Sequence, residues 1–148
     1  MKKLTLKNLE SLKPCGDGLA WYIANKEQDL KKICLKLIDT GLESWCEWLQ
    51  SRLLSKTNRI KFAIYAAEQV LDIFEKQYPN EKAPRDAIKA AKLVLKNPSQ
   101  KNKDAANAAN AAANAAAYAA YAAANAAARK ELQIKIALYG LKLLASQK

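Results

Sequence analysis

The sequence predicts an all-α fold, a compact helical bundle of seven to eight helices around a long central alanine-rich helix. Alanine occupies 18 of the 24 positions from 105 to 128, and alanine has the highest intrinsic helix propensity. Elsewhere, apolar residues recur every three or four positions, which is the period of an amphipathic helix. The alternation typical of strands never persists, and glycine and proline fall between the helical stretches. These observations together favour helices throughout.

The alanine-rich segment carries its larger side chains on one stripe. They are spaced three or four residues apart and repeat every eleven residues, about 3.67 residues per turn. Asp104 is a suitable N-cap, so we predict a helix over 104–128. The stripe has two interpretations, ordinary amphipathic patterning or a row of uncharged hydrogen-bonding groups that contacts a partner. The candidate partner-binding residues are Asn110, Asn114, Tyr118, Tyr121 and Asn125.

Four short helices are expected before this segment in the first part of the chain. Their predicted spans are Thr5–Leu12, Leu19–Asn25, Glu27–Ile38 and Leu42–Leu54. Proline and two glycines between residues 13 and 18 predict a turn. Gly41 is expected to end the third helix.

Longer helices are expected in the remainder. Asn58 is predicted to cap a helix that continues to about Tyr78, and Pro84 to lie in the first turn of a helix over Arg85–Lys96. The apolar stretch Leu132–Leu144 predicts a closing helix. Whether the alanine-rich helix continues into it or kinks near residues 129–131 is open at this stage.

A length of 148 residues predicts a single domain, 1–148, with a short-helix part over 1–56 and longer helices over 57–148. A composition of 51% hydrophobic against 26% charged residues predicts a folded chain. No signal peptide is visible, and no run of about 18 uninterrupted apolar residues occurs. We therefore expect a soluble, cytoplasmic protein without membrane contact.

Residues that catalysis needs are scarce. Histidine is absent, which removes the commonest general base and zinc ligand. The three cysteines have unrelated spacings, so we expect free thiols, with Cys34 and Cys46 facing the core. Glu43 and Glu47 are four residues apart and are interpreted as surface charge. The sequence therefore predicts no enzyme activity, no cofactor and no metal site.

The three tryptophans are expected to pack together. Trp45 and Trp48 share one helical face, and Trp21 precedes them in a short helix. Tryptophans at this spacing usually belong to a core. The sequence thus predicts one aromatic cluster in the first part of the chain.

The net charge of +11 is spread along the chain. The nearest approach to a basic patch comprises Lys89, Lys92, Lys96, Lys101 and Lys103. A solvated helix face is one interpretation, and a surface for nucleic-acid phosphates or an acidic protein is the other. A third alternative is a structural module that oligomerises through its alanine face. The oligomeric state is open at this stage.

Several segments together resemble the immunity protein family of bacterial toxin loci and phage genomes. The similarity lies in an opening leucine helix, the segment Cys15–Trp21, the tryptophan helix Trp45–Leu49, the stretch Arg59–Phe74, the helix after Pro84 and the alanine-rich helix. The resemblance implies a small, non-catalytic inhibitor that occupies a toxin or defence effector. In a phage, such a protein would act against host defence, in the manner of an anti-CRISPR protein. The implied partner is a protein effector or toxin, for instance a nuclease or ribonucleoprotein.

Overall fold

The computed structural model confirms the all-α fold and describes residues 3–104 and 126–147. Within these residues there are seven helices, and residues 100–104 are helical as well. The helices are α1 Leu6–Ser11, α2 Gly16–Asn25, α3 Leu30–Asp39, α4 Glu43–Leu53, α5 Lys56–Gln77, α6 Ala83–Lys96 and α7 Ala126–Ser146. The described part of the chain contains no strand, only an isolated antiparallel bridge between Lys3 and Asp29. The central position predicted for the alanine-rich helix lies outside the described residues.

Side-chain caps explain where two of the early helices begin. Helix α2 starts at Gly16, three residues before the predicted Leu19, because the Cys15 sulfur accepts a hydrogen bond from the Gly18 amide at 3.4 Å. Helix α3 starts at Leu30, three residues after the predicted Glu27. Its N-cap is Asp29, whose carboxylate accepts from two amides of the first turn at 3.0 and 3.1 Å. Gly41 follows α3 with φ +75°, a left-handed conformation that glycine adopts without strain.

The later helices follow the predicted order with small shifts. Helix α5 begins at Lys56, so that Asn58 lies inside the helix and is buried instead of acting as its cap. Pro84 occupies the first turn of α6, as predicted. Helix α7 continues without a break through residues 129–131.

The chain divides into two compact units. Residues 1–55 and 133–148 form the first. Its buried apolar residues come from α1 to α4 and from α7, among them Leu9, Ile33, Leu49 and Leu144. The hydroxyl of the buried Tyr22 donates to the Leu4 carbonyl.

Residues 56–132 form the second unit, in which α5 packs on α6. Phe74 of α5 and Ile88 of α6 belong to its buried apolar set. Arg85 donates from Nε and Nη2 to the two oxygens of Glu75 at 2.8 and 2.7 Å. This paired hydrogen bond lowers the pKa of the Glu75 carboxyl and joins the two helices.

None of the helices in residues 3–104 and 126–147 combines the length and the apolar character needed to cross a membrane.

Candidate functional site

The three tryptophans line one cavity in the first unit, which we call the tryptophan cavity. Its volume is about 340 Å³. Trp21, Trp45 and Trp48 are half-buried, so they border open space instead of filling a closed core. The other lining residues are Leu9, Pro14, Cys15, Gly18, Tyr22, Ile33, Leu37, Ser44 and Leu49. The predicted aromatic cluster is therefore a cavity wall.

Helical spacing brings these side chains together. Helix α2 contributes Gly18, Trp21 and Tyr22, at positions i, i+3 and i+4. Helix α4 contributes Trp45, Trp48 and Leu49 with the same spacing, and α3 contributes two residues four apart. Residues at such intervals lie on one helix face. Three helix faces thus converge on the cavity. The patterns of α3 and α4 were visible in the sequence, whereas Gly18 of α2 was predicted to lie in a turn.

The part of the chain that the structure describes contributes no charged side chain to the lining of the tryptophan cavity. A charged side chain lies beside this lining at Trp48, where the guanidinium carbon of Arg52 is 5.8 Å from the ring centroid. That distance falls within the range of a cation–π contact, which helps to hold the indole in place. The cavity is therefore suited to an apolar group rather than to an ion.

Cys15 joins this lining as an exposed thiol. Its sulfur caps α2 and would lie 3.4 Å from a Cβ atom placed on Gly18. A side chain at position 18 would occupy space that now belongs to the cavity. Because glycine has no side chain, Gly18 leaves this part of the cavity open.

The opposite face of α4 borders a second, much smaller cavity. We call it the glutamate cavity, and its volume is about 10 Å³. It is lined by Ile38, Glu43, Cys46, Glu47, Gln50, Gln133, Ile136 and Ala137, all within the first unit. That volume is close to the space that one water molecule needs.

Gln50 is fully buried beside this cavity, with 0% of its surface exposed. Its Nε2 donates to the Ala137 carbonyl at 2.8 Å and to the Cys34 sulfur at 3.8 Å. Its Oε1 is buried and receives no hydrogen bond from the described residues. The sequence gives no sign that this residue is buried, because a glutamine between leucine and serine on a helix is usually exposed.

Two ionisable groups that line the glutamate cavity have raised pKa values. Burial and the neighbouring charge of Glu43 raise the pKa of Glu47, although the residue is exposed overall. A hydrogen bond with Cys34, together with burial, raises the pKa of the Cys46 thiol. The Cys46 thiol is therefore neutral near pH 7.

Of the binding residues predicted from the sequence, the structure describes the five lysines but not the stripe. The stripe residues Asn110, Asn114, Tyr118, Tyr121 and Asn125 lie outside the described residues, and their role stays a prediction. In the second unit, Lys92 pairs with Glu68 at 2.7 Å and Lys89 with Asp86 at 3.4 Å. Lys96, Lys101 and Lys103 are exposed. Two of the five lysines proposed for phosphate contacts are thus engaged with carboxylates.

No cluster of three or more histidine, cysteine, aspartate or glutamate residues suited to a metal ion occurs in residues 3–104 and 126–147. Comparison with other proteins adds no information on function, since no protein-family model, no curated protein and no solved structure matches the chain.

Proposed function

We propose that this chain is a non-catalytic binding protein that neutralises a protein effector by occupying it in a one-to-one complex. The tryptophan cavity receives an apolar side chain of that effector. The observation that carries the proposal is the convergence of Trp21, Trp45 and Trp48 on one cavity of about 340 Å³. The proposal keeps the function that the resemblance to immunity proteins implies and moves the contact surface to α2 and α4.

The chemistry of the lining favours a protein side chain as the occupant. A charged ligand would lose its hydration without gaining a charged partner, because the lining contains none. Tryptophan, tyrosine and arginine are enriched among residues that dominate binding energy at protein interfaces. Trp48 with Arg52 beside it, at 5.8 Å, supplies two of these residue types. The volume is at the lower end of the range of about 300–1,000 Å³ for ligand pockets, which suits one large apolar side chain.

The net charge of +11 favours an acidic effector. Opposite net charges accelerate encounter and suppress association with basic proteins. A nuclease bound to its guide RNA, or an acidic toxin, has this property. Long-range charge would therefore bring the partners together, and the tryptophan cavity would hold them.

The substitution Ser44→Phe tests the proposal by filling the cavity from within. Ser44 is exposed on α4 and belongs to the lining, so a phenyl ring there would take the place of the partner's side chain. Serine and phenylalanine have similar helix propensities, so α4 should keep its helicity. We expect the affinity for the captured effector to fall about 30-fold or more, the loss of a contact worth about 2 kcal/mol.

The measurement compares wild type, Ser44→Phe and a control, Ser11→Phe, in capture from host lysate followed by titration of the purified partner. Ser11 is exposed on α1 and is not part of the lining. Retention by wild type and control but loss from Ser44→Phe supports the proposal. Equal retention by all three variants places the partner elsewhere and overturns it. Material that nuclease and high salt remove from all three would favour the lysine surface and nucleic acid instead.

A further inference from the structure

Three oxygen-bearing side chains share one face of α4. Glu43, Glu47 and Gln50 occupy positions i, i+4 and i+7 and all line the glutamate cavity. This spacing stacks side chains along one side of a helix. Glu43 and Glu47, four residues apart on α4, are neighbours on the helix surface, with about 5–6 Å between their Cβ atoms. The arrangement gathers negative charge and amide oxygen at a cavity about the size of a water molecule.

The orientation of the Gln50 amide is fixed by its partner. A carbonyl oxygen can only accept a hydrogen bond, so the nitrogen Nε2 faces the Ala137 carbonyl at 2.8 Å. The oxygen Oε1 is then left as a fully buried acceptor that receives no hydrogen bond from the described residues. Buried acceptors are nearly always satisfied by protein, water or an ion. Gln50 therefore indicates that something from solution occupies the cavity.

Among the described residues, those that line this cavity include no basic side chain. Neither Glu43 nor Glu47 forms an ion pair with any of them, although the chain has 25 basic and 14 acidic residues. The walls from α3 and α7 contribute Ile38, Ile136 and Ala137, with the amide of Gln133 beside them. A cation from solution would relieve the repulsion between the carboxylates and would also accept a lone pair from Gln50.

We propose that the glutamate cavity is a site for a hard divalent cation, of which Ca²⁺ is the best fit, bound by Glu43, Glu47 and the Gln50 Oε1 atom. Oxygen donors select calcium-like ions over zinc or copper. Calcium also tolerates irregular geometry and completes its six to eight ligands with water. The Gln133 amide, on the opposite wall, offers a further oxygen. The site lies on the face of α4 opposite the tryptophan cavity and does not depend on the proposed function.

Terbium luminescence tests the site directly, because Tb³⁺ binds calcium sites and is excited through nearby tryptophans. Trp45 and Trp48 lie on the same helix, within two turns of the proposed ligands. We expect one saturable Tb³⁺ site per chain, displaced by Ca²⁺ with a dissociation constant of about 0.1–1 mM, as for sites with few protein ligands. The double variant Glu43→Gln, Glu47→Gln should weaken Ca²⁺ competition about tenfold or more, since ligand charge sets affinity.

The matched control is the double variant Glu10→Gln, Asp72→Asn. It removes two exposed acidic residues and changes the net charge equally, but neither residue lines the cavity. Circular dichroism checks that each variant is folded. Wild-type binding by the control, with loss in the Glu43, Glu47 variant, establishes the site. Equal binding by both variants, equal loss from both, or no saturable binding of either ion up to about 10 mM overturns it.

Discussion

At the scale of single residues, the two buried cysteines and the exposed one occupy different chemical environments. Cys34 and Cys46 are 0% and 2% exposed, as the sequence predicted from their positions on apolar faces. Burial and the hydrogen bond between the two thiols disfavour the thiolate at Cys46. Cys15 is exposed at the start of α2. Reactivity should therefore separate these residues.

We expect a thiol reagent such as Ellman's reagent to modify one cysteine rapidly in the native protein and all three after denaturation. The thiolate is the reacting species, and it must also be accessible. The control Cys15→Ser should show no rapid reaction. Rapid modification of two or three thiols in the native wild type would contradict the burial of Cys34 and Cys46.

The burial of Gln50 could not be predicted from the sequence. The apolar stripes of α2 and α4 predicted the tryptophan cluster, because period and residue type together indicate a shared face. Gln50 has no such signal, since polar residues on helices are usually exposed. Its burial depends on Ala137, 87 positions later in the chain. Contacts of that range are set by tertiary packing and not by local pattern.

At the scale of elements, α4 is the helix on which the two candidate sites depend. Its residues 45, 48 and 49 border the tryptophan cavity, and 43, 46, 47 and 50 border the glutamate cavity. The spacing of residues 45, 48 and 49 and that of Glu43 and Glu47 were visible in the sequence, whereas Gln50 was not. The interpretation of Glu43 and Glu47 as plain surface charge missed the cavity, because the opposite wall comes from α7.

Helix starts were harder to predict than helix positions. The onset of α2 depends on Cys15 acting as the cap, and cysteine is not a preferred capping residue. Aspartate is a preferred capping residue, and Asp29 fixes the first residue of α3 more closely than the apolar pattern alone predicts. The end of α3 at Gly41 was predicted correctly, since glycine adopts a positive φ without strain.

The end of α2 offers a stabilising substitution. Lys26 ends that helix with φ +53°, a left-handed conformation that costs an L-residue about 1–2 kcal/mol. We expect Lys26→Gly to raise the free energy of unfolding by about 0.5–1 kcal/mol, after the entropy cost of glycine is subtracted. Urea denaturation measures the change.

The matched control is Lys31→Gly, which places the same substitution at an exposed position inside α3. It should lower the free energy of unfolding by about 1 kcal/mol, since glycine is a poor helix former. A loss of stability in both variants would mean that Lys26 is not strained.

At the scale of the whole molecule, the proposed function combines long-range charge with one short-range apolar contact. A net charge of +11 favours acidic partners without choosing among them. Selection then falls to the tryptophan cavity, whose lining rejects charge and accepts an apolar side chain. The glutamate cavity on the other face of α4 would tie that helix to α7 when a cation is bound.

The most direct test of the central claim is acrylamide quenching of tryptophan emission during titration with the captured effector. All three tryptophans of the chain line the tryptophan cavity, so the emission of this chain has no other tryptophan source. An effector without tryptophan, or one labelled with a non-emitting analogue, keeps the signal unambiguous. We predict that quenching decreases and saturates at one effector per chain as the indoles are covered. Full binding with unchanged quenching would contradict the claim, since the effector would then dock away from Trp21, Trp45 and Trp48.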